Sequence, residues 1–275
     1  NSAVPLNSNY TVTPTKDDNP LNGVSTYDLV LMSKHILGLQ PFDSPFRMIA
    51  ADANASGSIT TFDVVELRKL ILGIYTELPN NTSWRLVDQD YVFPEPTNPF
   101  ASQFPENKSF QGIANHHMAD NFIGVKIGDV NNSALPNSLM NVEERSNGML
   151  LFDVDDRMVQ AGETFTASFT TADQVKGYQF TLNTGSLEVL DILPGDQMDA
   201  TNFAVFAAQH AVTTSWSADG NATFSIRFRA TKAGRLSEMM GVSGSITKAE
   251  AYSLSSEHLD IAIRFASASG TSIQG

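Results

Sequence analysis

From Asp52 to Asp63 the chain reads Asp-Ala-Asn-Ala-Ser-Gly-Ser-Ile-Thr-Thr-Phe-Asp, with an oxygen-bearing side chain on alternate residues. Asp52, Asn54 and Ser56 fall at positions 1, 3 and 5 of a twelve-residue loop, and Gly57 sits at position 6, where the backbone must turn sharply. Ser58 at position 7 offers its carbonyl, Thr60 at position 9 reaches through water, and Asp63 closes the loop at position 12. The chemistry of such spacing is cation binding. Ca²⁺ takes six to eight hard oxygens, and alternate residues of a tight loop supply them from one side. The alternative is a polar turn that only caps a helix.

The elements that position this loop come twice. Val24–Gly38 aligns with Ile59–Gly73 at an offset of 35, with seven of fifteen positions identical. Each copy opens on a capping pair, Ser25 with Asp28 and Thr60 with Asp63, and continues with apolar residues at helical spacing. Each helix is expected to stop at a glycine, Gly38 or Gly73. Two helices this short cannot bury their apolar faces alone and should pack on each other. Counting back twelve from Asp28 gives a first loop from Asp17, with Asp17, Asn19, Gly23 (through its carbonyl), Ser25 and Asp28 at positions 1, 3, 7, 9 and 12. Leu21 at position 5 offers no side-chain oxygen, which weakens this site. The sequence therefore implies two Ca²⁺ sites.

Two loop-plus-helix segments in this order resemble the dockerin module of bacterial extracellular complexes, over roughly residues 15 to 75. The resemblance implies that loop positions 10 and 11, here Thr26-Tyr27 and Thr61-Phe62, face a protein partner. The 35-residue offset is long for that family, and Asp43–Ala51 reads as a connector. Further on, FIGVKIGDVNNSA is similar to the closing segment of secreted dockerin-like proteins. Its Asp129 and Asn131 open another loop that nothing closes at position 12, so they read as a structural turn, with an extra oxygen for one of the two sites as the alternative.

Around these loops the chain is less regular. Residues 1–16 are polar and proline-punctuated; an extended linker end is expected, with a short strand at Tyr10–Val12 as the alternative. The stretch from Tyr75 to Phe110 is proline-rich and aromatic without helical period, and Trp84, Leu86, Tyr91, Val92 and Phe93 should anchor it. His116-His117 lack a third ligand, so a metal role there is not expected.

Beyond a polar, turn-rich segment the period switches to two. Phe165, Ala167 and Phe169 alternate with polar residues, as do Phe224, Ile226 and Phe228. Tyr178, Phe180 and Leu182 share one face, and Leu259, Ile261, Ile263 and Phe265 another. About nine strands in about 120 residues make an antiparallel two-sheet sandwich or jelly roll. The order of VQAGETFTASF, VKGYQFTLN, LEVLDILPG, TTSWSADGNATFSIRFRATKAG and ITKAEAY resembles cohesin domains over Met149 to Ala266. Carbohydrate-binding jelly rolls share this pattern, but a sugar platform needs exposed aromatics and only Trp216 and a few tyrosines are available.

Composition narrows the function classes. A net charge of −13 argues against nucleic acid and anionic membrane surfaces. With no cysteine there is no thiol catalysis, disulfide or thiolate metal site. No apolar run is long enough for a transmembrane segment, and no basic, apolar leader opens the chain. No Gly-x-Ser-x-Gly, His-Glu-x-x-His or phosphate loop is present, and the carboxylates sit in loops and turns, so catalysis is not expected.

The expected fold class is α+β and multidomain, a small calcium-loop/helix dockerin-like domain followed by an all-β cohesin-like jelly-roll sandwich. The expected limits are an N-terminal extended segment 1–16, the dockerin-like domain 17–134 with its long insertion, a linker 135–147, the sandwich 148–267 and a tail 268–275. The expected function is that of a secreted calcium-binding assembly protein at the cell surface. It would dock through its two modules within one chain or head to tail into a filament. The alternative is an adhesion or carbohydrate-binding appendage, with polysaccharide as partner.

Overall fold

The chain's first regular helix, α1 (Thr26–Ile36), starts where the repeat places it. In the computed structural model, which describes residues 7–112, 120–136, 146–267 and 270–274, the Ser25 N–H donates to the Asp28 carboxylate at 2.9 Å. The helix ends at Gly38, φ 70°, with the Leu39 N–H folded back onto the Lys34 carbonyl. A second helix, α2 (Pro45–Ala51), occupies the stretch read above as a connector. Pro45 in the first turn presets its backbone angle, and Met48, Ile49, Ala50 and Ala51 are buried. About two turns are too few to show a 3.6 period. The third helix, α3 (Thr61–Ile71), repeats α1, with the Thr60 N–H on the Asp63 carboxylate at 2.8 Å and a stop at Gly73, φ 76°.

The chain divides into two compact units. The first comprises Asn1–Val24, Leu31–Leu67 and Glu77–Pro136; the second comprises Ser25–Val30, Arg68–Thr76 and Asn137–Gly275. Residues 25–30 and 68–76, which hold the start of α1 and the end of α3 inside the expected 17–134 span, thus count with the second unit. Most of the expected linker 135–147 and the His116-His117 pair lie outside the described residues.

In the first unit β1 (Tyr10–Val12) pairs with a later strand, so this stretch is not the linker end expected for residues 1–16. In chain order the remaining strands are β2 (Trp84–Asp88), β3 (Lys108–Phe110) and β4 (Phe122–Lys126). β1 pairs antiparallel with β3, and β2 with β4. α2 packs on β4, and Met32, Ile49, Leu67, Val87, Ile127 and Val130 are fully buried. Trp84 and Phe93 are buried as anchors, whereas Val92 is 83% exposed. Lys108 is buried only because Asp88 and Asp90 hold its ammonium at 2.9 and 2.7 Å, and it is pushed up to about 12 by those two hydrogen bonds.

The second unit is a β-sandwich. Its strands are β5 (Met149–Asp155), β6 (Met158–Val159), β7 (Thr164–Thr171), β8 (Val175–Asn183), β9 (Leu187–Pro194) and β10 (Phe203–Phe206). They continue as β11 (Ala211–Trp216), β12 (Thr223–Ala230), β13 (Gly234–Arg235), β14 (Gly241–Ser243), β15 (Glu250–Ser253), β16 (His258–Ser267) and β17 (Gly270–Gln274), with a short α4 (Leu236–Met239). The hydrogen-bonded path runs β10-β11-β8-β15-β16-β5-β7-β12-β9, antiparallel except for the parallel pair β5 and β16. The path folds over on itself, so that one layer faces the other across an aromatic core. Phe152 meets Tyr178 and Phe180 at 5.1 and 5.2 Å, and Phe169 stacks on Phe224 at 4.8 Å.

The alternation expected for β7, β12 and β16 is what buries Phe165, Ala167 and Phe169, then Phe224, Ile226 and Phe228, then Ile261, Ile263 and Phe265. β8 and β11 depart from it. In β11 every residue from Ala211 to Trp216 is buried, including Thr213 and Ser215 on the face away from the core. A sheet with one solvated face would leave those positions wet, so this face is covered.

Candidate calcium loops and docking face

The loop after α2 folds around its own oxygens. The Ser56 N–H donates to Asp52 Oδ1 at 2.9 Å and to Asn54 Oδ1 at 3.0 Å, and the Gly57 N–H donates to Asp52 Oδ2 at 2.8 Å. The Ser56 hydroxyl donates to the Ser58 carbonyl at 3.2 Å, and the Asn54 N–H to Asp63 Oδ1 at 3.3 Å. Asp52, Asn54, Ser56, Ser58 and Asp63 therefore converge, with Asp52 and Asp63 buried. Thr60 caps α3 through its N–H and hydroxyl, both on Asp63 Oδ2.

The residues assigned to the other loop part company. Asp17 Oδ1 accepts from the Ser83 N–H at 2.7 Å, and Asn19 takes a left-handed turn, φ 47°, with its carbonyl bonded to the Asn22 N–H. Gly23 instead meets the Asp129–Ala134 segment: the Ser133 hydroxyl donates to the Gly23 carbonyl at 3.1 Å. Ser133 N–H donates to Asp129 Oδ1 at 3.0 Å and to Asn131 Oδ1 at 2.9 Å, and Ala134 N–H donates to Asp129 Oδ2 at 2.8 Å. Ser25 and Asp28 keep the capping pair, with the Ser25 hydroxyl also on Asp28 at 3.1 Å.

The donor set suits a hard cation and nothing softer. It consists of carboxylate, amide, hydroxyl and carbonyl oxygens, with no sulfur or imidazole. No group of three or more His, Cys, Asp or Glu is gathered for a metal among the described residues, so any ion here relies on neutral oxygens beside two carboxylates. Burial pushes the Asp52 carboxyl up, the Gly57 and Ser56 N–H groups pull it down, and the Asp63 charge pushes it up again, leaving it above its ordinary value. Burial likewise raises Asp129 against its N–H partners and the Lys126 charge.

The covered face belongs to β15, β8 and β11, and what covers it is the two helix ends of the same unit. A helix leaves its first N–H groups and last carbonyls without intrahelical partners. Here sheet side chains supply them. The Thr26 N–H at the start of α1 donates to Gln179 Oε1 at 2.7 Å, and the hydroxyls of Thr26 and Ser215 bond at 2.8 Å. At the far end of α3 the Thr247 hydroxyl donates to the Ile71 carbonyl at 2.6 Å, and the Thr213 hydroxyl to the Leu72 carbonyl at 2.7 Å. Arg68 donates to the Ser217 hydroxyl at 2.8 Å, and the ring of Tyr27 stacks on Tyr252 at 4.9 Å.

Thr26 and Tyr27, two of the four residues the resemblance marks for a partner, thus lie on the sheet. Thr61 and Phe62 are not among these contacts, and Phe62 is 72% exposed. Sequence reasoning missed Gln179, Thr213, Ser215, Ser217 and Thr247, as well as Arg68. The signal that could have found them is the unbroken polar run Thr213-Thr214-Ser215 in a strand with only one core-facing side. An aromatic sugar platform is not offered by the tryptophans: Trp216 and Trp84 are both buried, and Tyr178 is core.

No protein-family model matches the chain, and no curated protein matches it. Among solved structures it is similar to a chain of a type I cohesin–dockerin complex from Clostridium thermocellum, at 8% identity and TM-score 0.33, covering 42% of this chain and 94% of that one. It is similar to a non-cellulosomal cohesin from Archaeoglobus fulgidus at 17% identity and TM-score 0.29, covering 42% and 86%. A type II cohesin from Bacteroides cellulosolvens gives 12% identity and TM-score 0.32, covering 42% and 95%. These likenesses to cohesin chains reach less than half of this chain, include no dockerin-like module shown for it, and do not assign it to a family.

Proposed function

We propose that this chain is a non-catalytic, calcium-stabilised docking module of a secreted protein, with its own helix ends docked on its sandwich. The observation that carries the reading is the polar seam on β8, β11 and the β14–β15 connection, where Gln179, Thr213, Ser215 and Thr247 satisfy the ends of α1 and α3. Such a seam is specific: Gln179, Thr213, Ser215 and Thr247 each pair with a group of the helix ends, and removing one partner leaves the other stranded.

Calcium enters as the stabiliser of the loops from which these helices spring. Asp52, Asn54, Ser56, the Ser58 carbonyl and Asp63 would hold one ion, with Thr60 reaching it through water. The ion would neutralise buried carboxylates that have no lysine or arginine at ion-pair distance in the case of Asp52 and Asp63 among the described residues. Millimolar calcium outside cells matches a site with only two carboxylates. A net charge of −13 suits a calcium-rich medium outside cells, where a chain without cysteine needs a staple other than a disulfide and a bound ion is one. Protein is the partner class. Head-to-tail assembly between copies would need the same polar seam to be vacated first, so docking within one chain is the resting arrangement.

Light scattering of the size-fractionated chain, in millimolar calcium over a wide concentration range, tests this. A monomer throughout is expected. Mass that grows with concentration in calcium and falls in EDTA would replace within-chain docking by docking between copies.

A further inference from the structure

We propose that the first calcium loop of the repeat is split along the chain, with residues 129–134 as its first half and a second half that starts at Gly23. The inference rests on the calcium reading above and concerns which residues hold the second ion.

The contiguous loop at 52–63 supplies the template. Its first half, Asp-Ala-Asn-Ala-Ser-Gly, is matched by Asp-Val-Asn-Asn-Ser-Ala at 129–134, with aspartate, asparagine and serine in register. Its second half, Ser-Ile-Thr-Thr-Phe-Asp, is matched by Gly-Val-Ser-Thr-Tyr-Asp at 23–28. The hydrogen bonds agree as closely as the residues do. Ser56 N–H on Asp52 and Asn54 (2.9 and 3.0 Å) has its counterpart in Ser133 N–H on Asp129 and Asn131 (3.0 and 2.9 Å). Gly57 N–H on Asp52 (2.8 Å) corresponds to Ala134 N–H on Asp129 (2.8 Å).

The junction is the decisive pair. Ser56 Oγ on the Ser58 carbonyl (3.2 Å) steps two residues along the chain, whereas Ser133 Oγ on the Gly23 carbonyl (3.1 Å) spans 110 residues and makes the same bond. At position 4 of the two loops' first halves, Ala55 and Asn132 share the left-handed conformation, φ 56° and 62°.

Two further contacts hold the halves together. The Asn22 side chain accepts from the Leu135 N–H at 3.0 Å and donates to the Leu135 carbonyl at 2.7 Å. At Gly23 a Cβ would stand 2.5 Å from the Ala134 nitrogen, so only glycine lets the segments approach. Asp129, Asn131 and Ser133 therefore take the places that a contiguous count gives to Asp17, Asn19 and Leu21, while the Gly23 carbonyl keeps position 7. Leu21's missing oxygen is replaced by the hydroxyl of Ser133. The Asp17 carboxylate is engaged by the Ser83 N–H.

Calcium binding to the full chain, counted by isothermal titration calorimetry, tests the split. Two ions per chain are expected for the unaltered protein, two for Asp17→Ala and one for Asp129→Ala. Two ions with the loss following Asp17→Ala and not Asp129→Ala overturn the split and leave the calcium reading standing. No calcium bound at all overturns both. Should Asp129→Ala fail to fold, an amide NMR titration of the unaltered chain decides. Ser133, Ala134 and Gly23 amides moving together with one midpoint support the split loop; movement confined to 17–19, or to 52–63, overturns it.

Discussion

The hydroxyl of Thr213 donates to the carbonyl oxygen of Leu72 at 2.7 Å, from a strand of the sandwich to the end of α3. Thr213 is fully buried, and the carbonyl it serves is one of those a helix end cannot satisfy itself. The bond thus does two things at once: it dries the outer face of β11 and terminates a helix. Replacing Thr213 by Val keeps the shape and removes the donor. A loss of about 1–3 kcal/mol, the cost of a stranded buried carbonyl, is expected in urea unfolding, with Thr213→Ser retaining most of the stability. Equal midpoints for Val and Thr would show that water serves Leu72 and that the seam is not dry.

Gln179 plays the complementary part, as acceptor for the first N–H of α1. Gln179→Leu should expose that N–H to exchange. A loss of about 1.4 kcal/mol corresponds to about tenfold faster opening, so the Thr26 amide should exchange at least that much faster while core amides of β7 and β12 stay unchanged. Uniform acceleration everywhere would instead mean global destabilisation.

Calcium removal should be felt as lost stability. With two carboxylates per loop, affinity belongs to the weak end of the calcium range, with dissociation constants on the order of 10⁻⁴ M. At a hundredfold excess of ion each site then stabilises by about 2.7 kcal/mol. Calorimetric melting in calcium and in EDTA should therefore differ by several degrees, and Asp52→Ala should remove part of the difference. A melting temperature indifferent to EDTA would reduce 52–63 to a polar turn.

Acid should weaken the second unit through Glu250. Burial pushes its carboxyl up, but the His258 imidazole at 3.7 Å, Lys248 at 2.7 Å and the Tyr252 hydroxyl at 2.8 Å outweigh that and hold it below the usual carboxylate range. A depressed folded value gives stability that is present above the unfolded pKa, about 4.3, and lost as pH falls through the folded one. Urea midpoints should drop over that acid range, and Glu250→Gln should flatten the slope. An unchanged slope in Glu250→Gln would place the acid sensitivity elsewhere.

Alkali acts on two tyrosines. Burial, joined for Tyr252 by the neighbouring Glu250 charge, raises Tyr178 and Tyr252 well above the ordinary phenol value. Raised folded values mean stability that is complete below the unfolded pKa, about 10, and declines as pH climbs beyond it. Absorbance titration should show these two of the six tyrosines ionising only with unfolding. Their titrating in step with the others, in folded protein, would contradict their burial.

Much of the scaffold was legible because it repeats or alternates. The paired caps Ser25/Asp28 and Thr60/Asp63 marked both helix starts, and the period of two in β7, β12 and β16 marked the core of the sandwich. What escaped was set by partners far away along the chain. α2 is about two turns long and packs on β4, so its seven residues carry no clear period of their own. Thr213 and Ser215 look solvated in a strand pattern until the helix ends cover them. Counting back from Asp28 reaches Asp17 because a count along the chain assumes a contiguous loop; the Ser133–Gly23 bond brings in a segment 110 residues away that no such count could reach.

That return sets an order of events as the chain leaves the ribosome. The 52–63 loop is complete as soon as residue 63 has emerged, whereas the partner segments bonded through Ser133 and Gly23 lie 110 residues apart. Nothing can close between them until residue 134 is out. The last closure of the first unit therefore waits for its last segment, and in a chain without cysteine it joins distant stretches as a disulfide would elsewhere. A truncation before residue 129 should leave the early half of that loop open, however much calcium surrounds it.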